Sequence, residues 1–161
     1  MKATAESEIE LGELLQRLVN RISHRLQGKS FAIMNDASVT VPQVILLYRV
    51  IHEKLHKPSE LARSLGMSGP AVSQMLDRLF QLDLIARLES PKDRRQRLVT
   101  ATPKAKALCA RIANARSAEY AQGVAHLSAP LRAEFNDVLA RVLGELDAAD
   151  AKIGCDDAAD E

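Results

Sequence analysis

A dense cluster of basic side chains near the middle of the chain has the chemistry of a phosphate-binding group. Four Lys or Arg residues fall within six positions, Lys92-Asp93-Arg94-Arg95-Gln96-Arg97. Pro91 and Asp93 favour a tight turn at this point, and residues 84–89 and 97–102 are predicted to be the two strands of a β-hairpin, or wing. A basic tip on such a wing suits contact with a nucleic acid. The alternative is a charged loop that only keeps the protein in solution.

The segment before the wing has the pattern of two short helices joined by a tight turn. Helices are predicted over residues 60–65 and 69–81, with Ser59 and Ser68 as their N-caps and Gly66 in the turn. This is the size of a helix-turn-helix. Apolar side chains of the second helix share one face, which predicts burial: Val72, Met75, Leu76 and Leu79.

The opposite face of the second helix carries groups that could read a duplex from the major groove. Its first residues are small, so that the backbone can approach closely, and the amide of Gln74 can pair with adenine N6 and N7. Ser73 and Arg78 can reach bases or phosphates, and the alternative is an ordinary solvated helix face. The predicted contacts on this helix are Ser68, Gly69, Pro70, Ala71, Ser73, Gln74 and Arg78.

The wing contributes the remaining predicted DNA contacts, namely Lys92, Asp93, Arg94, Arg95 and Arg97. Arg94 or Arg95 is expected to enter a narrow minor groove, which attracts guanidinium groups. Asp93 would orient a neighbouring arginine through a charge-assisted hydrogen bond, while Lys92 and Arg97 would contact phosphates.

Longer helices are predicted on both sides of this module. Leu11, Leu15 and Leu18 belong to an apolar stripe over residues 6–27 that Gly28 ends, and residues 29–39 are expected to be a connector with at most a short turn at 31–34. A helix is predicted from a capping box of Thr40 and Gln43 to about residue 54. It is expected to stop before Pro58.

Two helices are predicted after the wing, over residues 103–127 and, capped by Ser128, to about residue 149. Residues 1–39 and 103–150 carry more apolar surface than the central module can cover, so they are predicted to pack against a second copy of the chain. Residues 40–102 form the predicted winged helix-turn-helix, and residues 151–161 a flexible acidic tail.

Composition agrees with a single, mainly helical domain. The 161 residues are 47% apolar and only 3% aromatic, without tryptophan, which favours helices packed on helices. The net charge of +1 does not by itself predict a nucleic-acid partner. Neither a signal peptide nor a disulfide framework is evident in the sequence, so the expected compartment is the cytoplasm.

The order of these elements resembles the MarR family of bacterial winged-helix regulators over roughly residues 8–148. The similar segments are Thr40-Val41-Pro42-Gln43, Ser59-Glu60-Leu61-Ala62, Met67-Ser68, Leu82-Asp83-Leu84-Ile85 and the wing. In the family's wing pattern Asp93, Arg95 and Thr102 fit, whereas Ala101 and Ala105 replace Leu and Gly. Asp83 stands where the family often has Gly, and Asp tolerates a left-handed backbone better than most residues.

The resemblance implies a homodimer that binds an inverted-repeat operator and regulates transcription. The expected mode of regulation is repression, in which the bound protein blocks polymerase. The resemblance also implies that the protein is not an enzyme. It also implies a small aromatic or anionic effector, for which His24, Arg25, Tyr48 and Arg49 could line a crevice. Surface or interface packing is the alternative role of these four residues. No cofactor and no membrane association are expected.

His52-Glu53-Lys54-Leu55-His56 is a literal H-E-x-x-H, the pattern of zinc peptidases. Its position at a helix end before Pro58, without an obvious third ligand, argues against a metal site, and the histidines also suit the negative end of the helix dipole. A metal-responsive regulator using His52 and His56, and more remotely a zinc peptidase, remain the alternatives. Cys109 is expected to be a small buried hydrophobe rather than a redox sensor.

Overall fold

A computed structural model of the chain describes residues 2–23, 28–53, 56–89 and 97–156, and over these residues it consists of seven α-helices and one two-stranded antiparallel sheet. The elements in chain order are α1 Lys2–Ser23, α2 Lys29–Asp36, α3 Val41–His52, α4 Pro58–Leu65, α5 Gly69–Gln81, β1 Ile85–Glu89, β2 Arg97–Ala101, α6 Pro103–Val124 and α7 Ala129–Asp156. The predicted mainly α fold with a two-stranded wing is confirmed.

The chain divides into two compact units. One consists of Met1–His24 with Ala121–Glu161, and the other is Arg25–Tyr120. The boundary falls within α6. The predicted division into dimerisation helices and a central DNA-binding module stays a prediction.

The hydrophobic core lies in the unit Arg25–Tyr120. Leu46 and Leu47 of α3, Leu61 of α4 and Leu79 of α5 are completely buried, and the core cluster extends from Met34 to Ile112. The two strands pair from Ile85 opposite Ala101 to Glu89 opposite Arg97. Ile85 of β1 and Val99 of β2 are buried in the core, whereas Glu89 and Arg97 at the other end of the strand pair are exposed.

Several predicted helix starts are confirmed by the local hydrogen bonds. The Thr40 backbone N–H donates to Gln43 Oε1 at 2.8 Å before α3, and Ser68 Oγ accepts from the Ala71 N–H before α5. Ser128 Oγ accepts from the Leu131 N–H before α7. Such caps satisfy first-turn N–H groups that have no partner within the helix.

The prediction of a connector over residues 29–39 is wrong, because α2 occupies Lys29–Asp36. Gly28, with φ of 69°, takes the left-handed conformation at its N-cap. The buried Glu119 of α6 then accepts hydrogen bonds from the Ser30 N–H at 3.3 Å and from Ser30 Oγ at 2.9 Å. The N-terminus of α2 is therefore capped by a residue 89 positions away, which a local pattern cannot reveal.

Other boundaries also differ from the prediction, among them the start of α1 at Lys2 rather than at residue 6. Helix α4 begins at Pro58 with Lys57 as its N-cap, not at Ser59, since proline suits a first helical position that needs no N–H partner. Helix α6 ends at Val124, and α7 continues to Asp156 into the region predicted to fray.

The long helices α1 and α7, which belong to the unit Met1–His24 with Ala121–Glu161, bury few of their described side chains. Ile22 is the only buried side chain described in α1, and none of the side chains described in α7 is buried. Apolar side chains that are about half exposed line both helices: Ile9, Leu11, Leu14, Leu15 and Val19 on α1, and Leu131, Val138, Leu139, Val142, Leu143 and Leu146 on α7.

No single helix among the described residues is long and apolar enough to cross a membrane. Helices α2 and α3 together meet the length and composition of a span, but they are bent by 86° against each other.

Candidate nucleic-acid interface

Helix α5 is fixed through its apolar face and exposes its polar face. Gly66 (φ 62°) closes α4 in the left-handed conformation and so makes the turn into α5. Val72, Leu76 and Leu79 are buried in the core, and Met75 is half-buried. The side chains on the opposite face are exposed, namely the predicted contacts Ser73, Gln74 and Arg78 together with Asp77.

The N-terminal end of α5 is open to solvent. Ser68, Gly69 and Pro70 are exposed and Ala71 is half-buried. A Cβ placed on Gly69 would meet no atom within 4 Å, so the backbone of this first turn is freely approached. First-turn N–H groups and the positive end of the helix dipole favour an anion at such a position.

Two shallow clefts bring predicted contact residues together. One contains Gln74 and Arg78 of α5 beside Gln43 of α3. The other, about 230 Å³, contains Ser73 of α5 and Arg97 of β2. The two clefts share Asp77 of α5, so the exposed face of this helix adjoins the base of the wing.

Arg87 of β1 belongs to this surface, although the sequence reasoning did not single it out. Its guanidinium pairs with the Asp77 carboxylate of α5 and lies 5.3 Å from the ring centroid of Phe80. The pair joins the polar face of α5 to the wing. The feature of the sequence that could have indicated Arg87 is Asp77, an acidic residue in the middle of an otherwise neutral or basic helix face.

The base of the wing is held by a compact set of hydrogen bonds. Thr102 Oγ1 donates to the Asp83 carbonyl at 2.8 Å and accepts from the Ala105 N–H at 3.2 Å. Asp83 has φ of 57°, the left-handed conformation that the resemblance implies at this position. Ala105 is completely buried, so a small residue is needed where the resemblance expects Gly.

The tip of the wing lies outside the described residues. This applies to the predicted contacts Lys92, Asp93, Arg94 and Arg95. Arg97 is the first described residue after the tip, and it is exposed at the outer end of β2 opposite Glu89.

Two of the four predicted effector residues are described, and both already have partners. The Tyr48 hydroxyl donates to the Cys109 carbonyl at 3.1 Å, and burial is the main cause of a raised pKa of Tyr48. Arg49 pairs with Glu53 one turn later on the exposed surface. His24 and Arg25 lie outside the described residues, so their part in an effector crevice stays a prediction.

The H-E-x-x-H segment places its described members in separate interactions. The His52 ring stacks on Tyr48 with centroids 5.5 Å apart, Glu53 pairs with Arg49, and His56 Nδ1 lies 2.9 Å from the Val99 carbonyl. Lys54 and Leu55 are outside the described residues. In the part of the chain that the structure describes, no group of three or more His, Cys, Asp or Glu side chains could hold a metal ion.

Cys109 is buried in the core, as predicted. Burial raises the pKa of its thiol to about 11. A thiol held in its neutral form is a poor nucleophile, so this position fits a packing role.

Comparison with known proteins gives consistent similarities. A model of the MarR family matches residues 39–96. The multiple antibiotic resistance protein MarR of Salmonella typhimurium is 32% identical over 112 residues, which cover 68% of this chain and 75% of that protein.

Solved structures resemble the fold over most of the chain. The transcriptional regulator Tm0710 of Thermotoga maritima has a TM-score of 0.69 at 20% identity, covering 84% of this chain and 95% of that one. The MepR protein of S. aureus in a DNA complex has a TM-score of 0.63 at 23% identity, covering 81% and 98%.

Proposed function

The chain belongs to the MarR family, and from this premise we propose that it is a sequence-specific regulator of transcription that binds double-stranded DNA. The single observation that carries the proposal is the exposed polar face of α5, whose opposite face is buried in the core. That arrangement is what a recognition helix in the major groove requires. Members of the family are transcriptional regulators rather than enzymes, and no catalytic role is proposed for this chain.

The proposed contacts divide into base-reading and backbone-binding groups. Gln74 pairs with an adenine edge, while Ser73 and Arg78 reach bases or phosphates. Ser68, Gly69, Pro70 and Ala71 bring the backbone to a phosphate. On the wing, Arg94 or Arg95 enters the minor groove, Asp93 orients it, and Lys92 and Arg97 contact phosphates.

The proposed active form is a homodimer on an inverted-repeat operator. Apolar side chains on α1 and α7 are exposed in a single chain, and a second copy would cover them. Two symmetric recognition helices then contact half-sites about one helical turn, ~34 Å, apart. The helices 1–39 and 103–150 are the proposed dimerisation elements, and 40–102 is the proposed DNA-binding module.

Regulation is proposed to be repression in the cytoplasm by exclusion of polymerase from the operator, relieved by a small aromatic or anionic effector. An effector can act only through a preference for one separation of the two recognition helices. His24, Arg25, Tyr48 and Arg49 are the proposed lining of the crevice for it.

The test is selection of bound duplexes from a random library with the purified protein, followed by fluorescence anisotropy on the selected site. An inverted repeat should emerge, and affinity should fall steeply with salt because several phosphates are neutralised. The Arg95→Ala variant should bind much more weakly without losing thermal stability. Arg63→Ala, at an exposed position of α4 that is not among the proposed contacts, is the matched control. Selection without enrichment of any sequence would overturn the proposal.

A further inference from the structure

His56 connects the segment before α4 to the wing through two hydrogen bonds with a single residue. The Val99 backbone N–H donates to the His56 carbonyl at 2.8 Å, and His56 Nδ1 lies 2.9 Å from the Val99 carbonyl oxygen. His56 is half-buried and Val99 is buried in the core. Both polar backbone groups of Val99 therefore face His56 and point away from β1.

The side-chain contact fixes the state of the imidazole. A carbonyl oxygen can only accept a hydrogen bond, so Nδ1 of His56 must carry the proton. In the neutral ring this leaves Nε2 as an acceptor, whereas the tautomer that free histidine prefers in water carries its proton on Nε2. The contact thus selects one tautomer, because the other would place two lone pairs against each other.

Val99 lies in a row of the sheet that is attached on both sides. Its partner across the strand pair is Arg87, and the Arg87 guanidinium pairs with the Asp77 carboxylate of α5. Arg87 thereby ties this row to α5, and His56 ties it to the residues that lead into α4. A two-stranded hairpin is marginally stable by itself, so its direction depends on attachments of this kind.

The attached row lies close to the outer end of the described strands. Two further pairs follow it there, Leu88 opposite Leu98 and Glu89 opposite Arg97. A change of direction at the row is therefore passed on to Arg97 over a distance of two residues. His56 is thus placed where the loss of one hydrogen bond changes the direction of the wing.

We propose that His56 is a positioning residue for DNA binding, whose imidazole fixes the direction of the wing and so places its basic residues on the duplex. It acts through the arginines of the wing and does not itself contact DNA in this role. The effect on operator affinity rests on the proposed function, whereas the hydrogen bond and its tautomer do not. This role also gives the second histidine of the H-E-x-x-H segment a task that needs no metal.

The first measurement is the imidazole tautomer of His56 in the full-length protein without DNA. Long-range ¹H–¹⁵N correlation spectra in mildly alkaline buffer should show Nδ1 protonated and Nε2 unprotonated. The amide exchange of Val99 should accelerate about threefold to tenfold in His56→Leu, as expected for the loss of one net hydrogen bond. A ring protonated on Nε2 alone, or unchanged exchange of Val99, would overturn the proposal.

The second measurement is the affinity of each variant for the selected operator by fluorescence anisotropy. The Kd should rise about threefold to tenfold in His56→Leu. His56→Asn should restore most of the affinity, because the side-chain amide of Asn offers an N–H donor close to the position of Nδ1. The matched control is His52→Leu, which removes an exposed imidazole at the end of α3 and should leave the Kd unchanged. Equal Kd values for His56→Leu and His52→Leu would contradict the proposal.

A double-mutant cycle with Arg95→Ala distinguishes positioning of the wing from a general loss of structure. Because His56 acts through the wing, His56→Leu should weaken binding clearly less in the Arg95→Ala background than in the wild-type background. A purely structural role would weaken binding by the same factor in both backgrounds, and that additive result would refute positioning by His56. The thermal melts of all variants should stay cooperative.

The two sets of measurements keep this inference apart from the proposed function. A protein that shows the Nδ1 tautomer and the accelerated exchange but binds no duplex contradicts the proposed function alone. A protein that binds the selected operator with unchanged affinity in His56→Leu contradicts the positioning role alone.

Discussion

Asp77 is a negative charge on a helix face that is otherwise suited to phosphates. Its carboxylate pairs with Arg87, and the Arg87 guanidinium also lies over the Phe80 ring. The pair neutralises the acid and leaves Gln74 and Arg78 on the same face without a competing free carboxylate. The acidic residue is therefore compatible with the proposed phosphate and base contacts of α5.

Gln74→Ala should weaken binding to the selected operator while leaving binding to random duplex nearly unchanged. A good bidentate base contact contributes about 1–3 kcal/mol of discrimination, and the side chain is exposed, so stability should change little. Anisotropy on both duplexes measures the difference. Gln81→Ala, an exposed glutamine at the end of α5, is the control, and equal effects of the two substitutions would contradict base reading by Gln74.

Cys109 should react with iodoacetamide slowly at neutral pH and faster with every increase in pH up to at least 9.5. Burial raises the pKa of the thiol to about 11, so its thiolate fraction grows about tenfold per pH unit over this range. The pKa of the thiol is higher in the folded state than in the unfolded state. The neutral thiol therefore makes its full contribution to the free energy of unfolding at pH values below the unfolded-state pKa. That contribution is lost as pH rises from about 9 through 11.

Mass spectrometry on a Cys155→Ser variant follows Cys109 alone. A rate that levels off below pH 9 would show an accessible thiol of ordinary acidity and contradict the packing role.

At the scale of elements, the sequence predicts those features that depend on residues close together in the chain. The start of α5 follows from Ser68 and the wing strands from their pattern, and the structure agrees with both. Helix α2 could not be predicted, because its N-terminus depends on the Glu119 carboxylate from α6. Arg87 was missed for the same reason, since its pairing with Asp77 exists only after the strand has folded beside α5.

Two helical glycines should respond to alanine in opposite directions. A Cβ at Gly123 would lie 2.6 Å from Ile22 Cγ2 and 3.1 Å from Ile22 Cγ1, and a β-branched side chain is stiff at χ1. Gly123→Ala should therefore cost about 1 kcal/mol net, with overpacking exceeding the helix-propensity gain.

Gly144→Ala is the matched substitution, because a Cβ there meets no atom within 4 Å. It should raise the free energy of unfolding by about 1 kcal/mol. Urea denaturation measures both variants. A stabilising Gly123→Ala would mean that α1 does not pack closely against the end of α6.

At the scale of the whole molecule, the two units differ in how much of their apolar surface a single chain buries. The unit Arg25–Tyr120 contains the core cluster, whereas α1 and α7 expose apolar side chains along their length. The sequence already indicated this surplus of apolar surface through the stripes of both helices. It could not indicate which residues of the stripe a second copy contacts, because that depends on the geometry of two chains.

Val142→Glu should convert the protein from dimer to monomer. Val142 is 46% exposed on the apolar face of α7, and symmetry would place two unpaired carboxylates in the proposed interface. An unpaired buried charge costs several kcal/mol, so the dimer dissociation constant should rise about a hundredfold or more. Light scattering after gel filtration at micromolar concentration measures the mass.

Ala140→Glu adds the same charge two residues earlier, about 160° away around the helix, and should leave the dimer intact. The monomeric variant should still fold its winged-helix unit, since the core cluster contains no residue of α7. It should bind a single half-site weakly and lose the preference for an inverted repeat. If Val142→Glu remained a dimer with unchanged operator affinity, the α7 face would not be the surface through which two copies join.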